Sequence, residues 1–268
     1  MKRIASPQNP LIKRALALHR PGGSAAADEI LIEGEKLLRE ALRSGAELRH
    51  LFIQEGSEER WRDQADRVVL VPPTLLRRLS QLDTPPTAVG LVIPPAAPPL
   101  EALLSKARTL IVLDRVQDPG NLGTILRSLE ALGGDGLLLL TGCASPANPK
   151  VIRAAMGSSF RVPLLTGLEG PALLARLRAA GFACLATGPA GDDLRHAPLP
   201  ARVAFFLGSE GTGLAPALRT ACDRCLTIPM PGPAESLNVA IATAICLYER
   251  LHRQSPAPVI PPLRGTPS

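Results

Sequence analysis

The sequence predicts an α/β protein with two domains, a small N-terminal α/β domain and a larger C-terminal α/β domain whose sheet is mainly parallel. Short helical and strand-like segments alternate over about the first ninety residues, which is enough for a small domain. Farther on, unbroken apolar runs of strand length alternate with helical segments, as in parallel sheets covered on both faces. Four prolines within residues 94–99 separate the two patterns. We therefore expect domains at 1–93 and 108–253, a linker at 94–107 and a disordered tail at 254–268.

Amphipathic and alternating segments define the elements of the N-terminal domain. Apolar residues at helical spacing predict a helix over Leu11–Leu18 and a second over Glu33–Arg43, which Gly45 ends. The segments that follow are predicted to be two strands, a short helix and a last strand, at Leu48–Ile53, Val68–Val71, Thr74–Leu79 and Ala88–Ile93.

Five apolar runs are the predicted parallel strands of the C-terminal domain. They are Leu110–Leu113, Leu137–Thr141, Ala183–Thr187, Val203–Leu207 and Leu226–Ile228. Open parallel sheets bind ligands at the carboxyl ends of their strands, so the loops at those ends are the candidate sites.

The loop after Leu110–Leu113 contains a Pro-Gly turn, and Asn121 is expected to cap a helix that begins near Leu122. Arg127 lies about one and a half turns into that helix, at 3.6 residues per turn, among apolar neighbours. Taken alone, a helix cap followed by a solvated arginine explains these residues better than a catalytic site does.

Two later loops are rich in glycine or proline. Gly208–Leu214 has three glycines in six residues, which allow a ligand to approach the backbone closely, but it matches neither the dinucleotide fingerprint nor a P-loop. The loop that begins at Ile228 precedes a strongly apolar helix, which we expect Ser236 to begin, with Asn238 inside its first turn. Taken alone, the first loop is explained by a tight strand-to-helix turn. The second is explained by an ordinary helix cap.

Composition narrows the class of protein only slightly. The formal net charge of +6 favours a polyanionic partner, although many ordinary enzymes share it. Five cysteines make no disulfide framework, and Cys222 and Cys225 lack a second pair at zinc spacing, so no metal is expected. The first residues lack the apolar core of a signal peptide, and no apolar run is long enough to span a membrane. We therefore expect a cytoplasmic protein with no membrane partner.

The combination of segments is far more specific than any one of them. NLGTILRSLEALG (Asn121–Gly133), FLGSEGTGL (Phe206–Leu214) and IPMPGPAESLNVAIATAICLYE (Ile228–Glu249) occur in this order. They resemble the three motifs of the SpoU/TrmH family of RNA 2′-O-ribose methyltransferases, within the SPOUT superfamily. AAMGSSFRVP (Ala154–Pro163) resembles the segment that connects them. The first half, through SPQNPLIKRAL and EGEKLLREAL, resembles the family's substrate-binding domain, which is related to ribosomal protein L30e.

This resemblance implies a deep trefoil knot, S-adenosylmethionine as cofactor and a set of site residues. The implied catalytic residues are Arg127, Asn121, Glu210, Ser236 and Asn238. The implied cofactor-binding residues are Thr187, Gly188, Leu207, Gly208, Glu210, Gly211, Gly213, Ile228, Met230 and Leu237. Because a guanidinium stays protonated, we expect Arg127 to stabilise the developing alkoxide electrostatically, with an RNA phosphate accepting the proton.

The resemblance also implies a structured RNA as substrate and a homodimer formed through the knot region. The candidate RNA-binding cations are Arg3, Lys13, Arg14, Lys36 and Arg39, with Lys2 and Arg43 beside them. Solvated helix faces explain each of these cations equally well. The apolar helix Leu237–Leu251 fits a dimer interface and an internal core helix equally well. Large-subunit rRNA is favoured over tRNA, because relatives that modify tRNA often lack the extra domain.

Other functions remain open from the sequence alone. Two alternatives are a tRNA 2′-O-methyltransferase and a base methyltransferase of the same superfamily. The first differs from an rRNA 2′-O-methyltransferase only in its substrate, and the second only in its product. A non-catalytic RNA-binding or ribosome-assembly factor would not need the Asn121, Arg127, Glu210 and Asn238 set. A nucleotide-dependent oxidoreductase would need the missing dinucleotide fingerprint after the first strand.

Overall fold

The chain folds around two β-sheets, and both are covered by helices. The computed structural model describes residues 1–19, 29–209 and 211–254. The first sheet belongs to the N-terminal half, and its strands run in the order β1-β4-β3-β5-β2. The second belongs to the C-terminal half, in the order β11-β9-β10-β6-β7-β8, and every pairing between its named strands is parallel. The predicted α/β class with a mainly parallel second sheet is therefore confirmed.

Residues on alternate faces of the first sheet enter two different cores. Its strands are β1 (Lys2–Arg3), β2 (Ile30–Glu33), β3 (Glu47–Gln54), β4 (Val68–Val71) and β5 (Ala88–Ile93). The helices of this half are α1 (Pro10–Ala17), α2 (Glu35–Arg43), α3 (Pro73–Arg78) and a 3₁₀ segment at Glu58–Arg67. Leu51 and Ile53 pack beneath α2, whereas Phe52, between them, packs with α1 and α3 on the opposite face. This alternation is the period-two pattern of a strand.

The predicted helix at Glu33–Arg43 begins two residues too early, and the strand that precedes it was not predicted. Residues Ile30–Glu33 form β2, all four are buried, and the chain then turns at Gly34 with φ of 93°. A strand buried on both faces does not alternate between apolar and polar residues, so its three apolar residues alone do not distinguish it from the start of a helix.

The second sheet carries the predicted apolar strands, with longer bounds for several of them. Its strands are β6 (Thr109–Asp114), β7 (Gly136–Leu140), β8 (Leu164–Leu168), β9 (Ala183–Asp193), β10 (Val203–Gly208) and β11 (Arg224–Thr227). Its helices are α4 (Leu100–Lys106), α5 (Pro119–Ala131), α6 (Pro149–Ala155), α7 (Gly170–Ala179), α8 (Pro216–Ala221) and α9 (Val239–Gln254), with a 3₁₀ turn at Ser158–Phe160. Helix α4 lies within the predicted linker at 94–107 and packs its leucines into the core of this sheet.

Two helices begin at other residues than predicted. The N-cap of α5 is Asp118, whose side chain accepts the backbone N–H of Asn121, so Asn121 lies in the first turn and does not cap the helix. Helix α9 begins at Val239, three residues after Ser236, because Asn238 accepts the backbone N–H of Ala240 at 2.9 Å. Asx side chains compete for backbone donors in just this way, and a sequence with several polar candidates does not show which one succeeds.

The two halves share one core cluster. Ile152 of α6 and Phe160 pack among Leu38, Leu51 and Trp61 of the N-terminal half. Ion pairs surround this contact, from Arg153 to the buried Glu33 at 3.3 Å and from Arg161 to Glu40 at 3.1 Å. Arg161 also binds Glu130 and holds the pKa of that carboxyl below its usual value. The prolines at 94–99 therefore connect two bodies that are packed directly against each other.

The trefoil knot stays a prediction, and so do the domain boundaries. Helix α9 continues through Gln254, the first residue assigned to the predicted tail. Residues 255–268 of that tail lie outside the described residues.

Candidate functional site

A cavity of about 340 Å³ lies beside the ends of β10 and β11 and the middle of β9. Its walls come from the two glycine- and proline-rich loops, Gly208–Leu214 and Ile228–Leu237, which follow those strands. Ligand sites of parallel sheets occur at this edge, and the volume lies within the range of small-molecule pockets. The geometry therefore points to a bound small molecule.

Most of the predicted cofactor-binding residues line this one cavity. They are Thr187, Gly188, Leu207, Gly208, Gly213, Ile228, Met230 and Leu237. Gly211 is exposed at the tip of its loop and is not among the lining residues. Glu210 lies outside the described residues.

The loop after β10 folds back on itself, which brings its backbone to the cavity. The N–H of Gly213 donates to the carbonyl oxygen of Ser209 at 2.8 Å, and the hydroxyls of Ser209 and Thr212 lie 3.0 Å apart. The returning strand of the loop passes so close to Gly208 that a Cβ there would lie 1.9 Å from the carbonyl carbon of Gly213. Only glycine fits this position. The turn is therefore closed by its own hydrogen bonds, beside the cavity that Gly208, Ser209, Thr212 and Gly213 line.

Asn121 and Asn238 are brought together by a hydrogen bond between helices α5 and α9. The Nδ2 of Asn238 donates to the Oδ1 of Asn121 at 2.9 Å. The Oδ1 of Asn238 meanwhile caps α9. Ser236 lines the cavity two residues before Asn238. Three of the predicted catalytic residues thus lie where the third loop enters α9.

Arg127 is not part of the cavity wall of its own chain. It is exposed on α5, and within the described part of the chain its side chain makes no hydrogen bond or ion pair. It follows Asn121 by six residues, a rise of about 9 Å along the helix at 1.5 Å per residue. Within one chain, the structure therefore does not join Arg127 to the Asn121–Asn238 pair.

Sequence reasoning missed two charged residues of the cavity, Arg219 and Glu235. Glu235 lies within the third motif segment, directly before Ser236, so its position was a signal that could have been used. Arg219 lies on α8, a helix of six residues that was not predicted. A lone arginine in so short an element carries no periodic pattern that would single it out.

The predicted RNA-binding cations do not form a single patch. Helices α1, with Lys13 and Arg14, and α2, with Lys36 and Arg39, cover opposite faces of the first sheet. Arg14 pairs with the buried Glu29 at 2.7 Å, and Arg39 binds Glu35 and stacks over Trp61. Arg3, on the edge strand β1, pairs with Glu55 at 2.9 Å. Lys13 and Lys36 are exposed and make no ion pair among the described residues.

The cysteines and acidic residues offer no metal site in the part of the chain that is described. No group of three His, Cys, Asp or Glu side chains there could hold a metal ion. Burial raises the pKa of Cys222 to about 12, so its thiol stays protonated.

No helix in the described ranges is both long and apolar enough to cross a membrane.

The sequence profile of the SpoU rRNA Methylase family matches residues 108–248, and that of the MRM3-like substrate binding domain matches residues 9–90. A 23S rRNA (guanosine(2553)-2′-O)-methyltransferase, RlmP of Bacillus subtilis, is 32% identical over 92% of this chain and 98% of its own length. A 23S rRNA (uridine(2479)-2′-O)-methyltransferase of Streptomyces viridochromogenes is 32% identical over 85% of this chain and 84% of its own.

Among solved structures, the chain is similar to an AdoMet-bound rRNA methyltransferase from Sinorhizobium meliloti. The TM-score is 0.84 at 32% identity, and the match covers 94% of this chain and 98% of that one. The AdoMet complex of the SpoU methyltransferase AviRb from Streptomyces viridochromogenes matches with a TM-score of 0.82 at 29% identity, over 92% of this chain and 98% of that one.

The fold and the cavity at the edge of the parallel sheet define a SPOUT-type methyltransferase that uses S-adenosylmethionine. The predicted resemblance and the predicted cofactor are thereby confirmed. The chain belongs to the SpoU rRNA methylase family.

Proposed function

We propose that this chain transfers a methyl group from S-adenosylmethionine to a ribose 2′-hydroxyl of large-subunit rRNA. The observation that carries the proposal is a cavity lined by the loops of both the second and the third motif, in a chain that matches two 23S rRNA 2′-O-methyltransferases over most of its length. Identification of the labelled nucleoside would also show which nucleotide carries the methylated ribose. A ribosomal substrate would place the enzyme in the cytoplasm.

The residues that line the cavity fit S-adenosylmethionine. Leu207, Ile228, Met230 and Leu237 offer an apolar surface for the adenine, and the backbones of Gly208, Ser209, Thr212 and Gly213 offer hydrogen-bonding groups. Among the described lining residues, Arg219 is the only cation, and the methionine carboxylate is the cofactor's anionic group. We assign Arg219 to that carboxylate. When bound, S-adenosylmethionine supplies a methyl group already activated by the positive sulfonium.

Arg127 is assigned to the ribose oxygen. This oxygen would take its methyl group from the sulfonium of the bound cofactor, and an RNA phosphate would accept the hydroxyl proton. A guanidinium cannot accept that proton, but its charge stabilises the developing alkoxide. Asn121 and Asn238, joined at 2.9 Å, hold the entrance of α9 beside the cavity, and Ser236 and Glu210 complete the predicted set.

We further propose a homodimer in which α9 contributes to the interface of the knot region. Ile241 is 50% exposed and Tyr248 is 60% exposed, and their spacing of seven residues puts them on one face of α9. Apolar side chains this exposed are typical of a surface that a partner covers. The N-terminal domain, proposed at residues 1–93, would bind RNA through surface cations, with the exposed Lys13 and Lys36 as first candidates.

The reaction can be tested with methyl-labelled S-adenosylmethionine and unmodified ribosomal RNA, followed by digestion and identification of the labelled nucleoside. We expect a 2′-O-methylnucleoside from 23S rRNA. Arg127→Ala should reduce turnover by about a hundredfold or more, as expected for the loss of a group that stabilises transition-state charge, with little change in cofactor affinity. Arg176→Ala, at an exposed arginine of helix α7, is the matched control and should retain full turnover.

Each outcome distinguishes one part of the proposal. Normal turnover by the Arg127→Ala variant would remove Arg127 from the catalytic set. Label in tRNA would preserve the reaction and change the substrate, and label on a base would change the reaction itself. Cofactor binding without any labelled RNA would favour a non-catalytic RNA-binding role.

A further inference from the structure

Asp114 is a buried carboxylate at the end of β6, and its bonds lead to the cavity loop. It lies opposite Gly208 in the register of β6 and β10, at the point where that loop begins. Its Oδ2 accepts the backbone N–H of Ala215 at 2.9 Å, where the same loop ends. The side chain is 8% exposed. One carboxylate therefore ties the end of the loop to the strand beside its start.

Arg115 balances the charge of Asp114 and also reaches the loop. Its Nε and Nη2 donate to the two carboxylate oxygens of Asp114 at 3.1 Å each, and its Nη2 lies 3.5 Å from the carbonyl oxygen of Gly213. The backbone of Arg115 has φ of 55°, in the left-handed region that residues with a side chain rarely adopt. From this backbone conformation, the side chain of Arg115 folds back onto Asp114. Sparsely populated backbone conformations of this kind cluster at functional sites.

We propose that Asp114 and Arg115 form a latch that positions the loop Gly208–Leu214 for cofactor binding. The loop has a closed turn of its own, through Ser209 and Gly213, but that turn does not set where the loop lies relative to the sheet. The latch bonds to Gly213 and Ala215 do, because they originate from the neighbouring strand. Asp114 and Arg115 are thus positioning residues, and this inference rests on the proposed function of the loop.

A charge pair elsewhere in the fold shows what a purely structural role would look like. Asp223 also accepts a backbone N–H, from Cys184 at 2.7 Å, and also pairs with an arginine, Arg178, at 2.6 Å. It lies where β9 and β11 begin, at the opposite end of these strands from their carboxyl ends. The two aspartates therefore make the same kinds of bonds, Asp114 at the carboxyl ends of the strands and Asp223 at their amino ends.

The test compares Asp114→Asn and Arg115→Lys with Asp223→Asn in the full-length protein. Binding of S-adenosylhomocysteine is measured by titration calorimetry. KM and kcat are measured by methyl transfer, with S-adenosylmethionine varied at saturating RNA and RNA varied at saturating cofactor. We expect Asp114→Asn to weaken binding and raise the KM for S-adenosylmethionine about tenfold, while kcat at saturating cofactor changes less than about twofold, since a charge-assisted bond is lost but its geometry is not part of the chemistry. Arg115→Lys keeps the charge without the two-pronged geometry and should act in the same direction.

The control Asp223→Asn should leave both cofactor constants unchanged. Hydrogen exchange of the Ala215 amide is a second measurement that needs no ligand, and we expect it to accelerate in both latch variants and not in the control. If cofactor binding and hydrogen exchange of the Ala215 amide are unchanged in both latch variants, the proposed positioning role of Asp114 and Arg115 is wrong. If Arg115→Lys raises only the KM for RNA, Arg115 is an RNA contact and not a positioning residue. If the native chain binds the cofactor normally but transfers no methyl group, the proposed reaction is contradicted. The binding and hydrogen-exchange data on the variants would then still decide whether the latch exists.

Discussion

The charged residues of the cavity make a prediction at the residue scale. Arg219 and Glu235 are the only charged side chains among its described lining residues. If Arg219 binds the methionine carboxylate, Arg219→Ala should raise the KM for S-adenosylmethionine about tenfold, because a charge-assisted hydrogen bond is worth about 1.5–3 kcal/mol. Turnover at saturating cofactor should stay near normal, since the carboxylate does not react. Steady-state kinetics at varied cofactor concentration would measure both values, and an unchanged KM would contradict the assignment.

The same residues show how far a sequence can predict a site. Gly208 and Gly213 were predicted through the family resemblance, because clustered glycines after an apolar strand allow a close approach of backbone to ligand but are explained equally well by a tight turn. Arg219 was not, because its role depends on where a six-residue helix is placed by the strands around it. Asn238 was predicted to matter, but its observed bond to Asn121 joins residues far apart in the chain. Such a pairing depends on the packing of α5 against α9, which local patterns do not encode.

At the scale of elements, the loop after β10 depends on one glycine. A Cβ at position 208 would lie 1.9 Å from the carbonyl carbon of Gly213 and 2.0 Å from the nitrogen of Leu214. Because both are backbone atoms, no rotamer change relieves the clash, and the loop must open. Gly208→Ala should therefore abolish detectable cofactor binding while the sheet stays folded.

Circular dichroism and calorimetric titration would check the two halves of this prediction. Gly170→Ala is the control, since a Cβ there meets only side chains at ordinary contact distance and α7 already begins at this residue. Cofactor binding of native strength by the Gly208→Ala variant would show that the closed turn is not needed.

Strand β9 shows which features of an element escape prediction. The apolar run predicts a strand at Ala183–Thr187, but β9 continues to Asp193. The extension consists of glycine, proline, alanine and aspartate residues, which are depleted in strands, and it pairs with β11 only after a register shift between Cys225 and Leu226. Gly191 permits this approach, because a Cβ there would lie 2.3 Å from the carbonyl oxygen of Cys225. Pairing supplied by a distant strand therefore overrides the low strand preference of these residues.

At the scale of the whole molecule, the two predicted domains are coupled through a shared core. The sequence predicts a proline-rich connection, and prolines do occupy 94–99, but it does not show that Ile152 and Phe160 leave the second half to fill the core of the first. Their apolar character predicts only burial, and the partner is set by the tertiary fold. Because Arg153 and Arg161 pair with Glu33 and Glu40 around this contact, the N-terminal half is held in one orientation relative to the cavity.

This coupling predicts that the native chain unfolds in a single cooperative transition. Phe160 is 6% exposed, and Phe160→Ala should cost about 3 kcal/mol of unfolding free energy, at the lower end for a buried phenylalanine. Because the lost contacts join the two halves, calorimetry should then show two transitions, and rRNA affinity should fall while cofactor affinity is retained. Phe182→Ala, at a phenylalanine 3% exposed within the core of the second sheet alone, should destabilise similarly but keep one transition. Two transitions already in the native chain would mean that the shared cluster does not couple the halves, and the orientation of the N-terminal half would then need another cause.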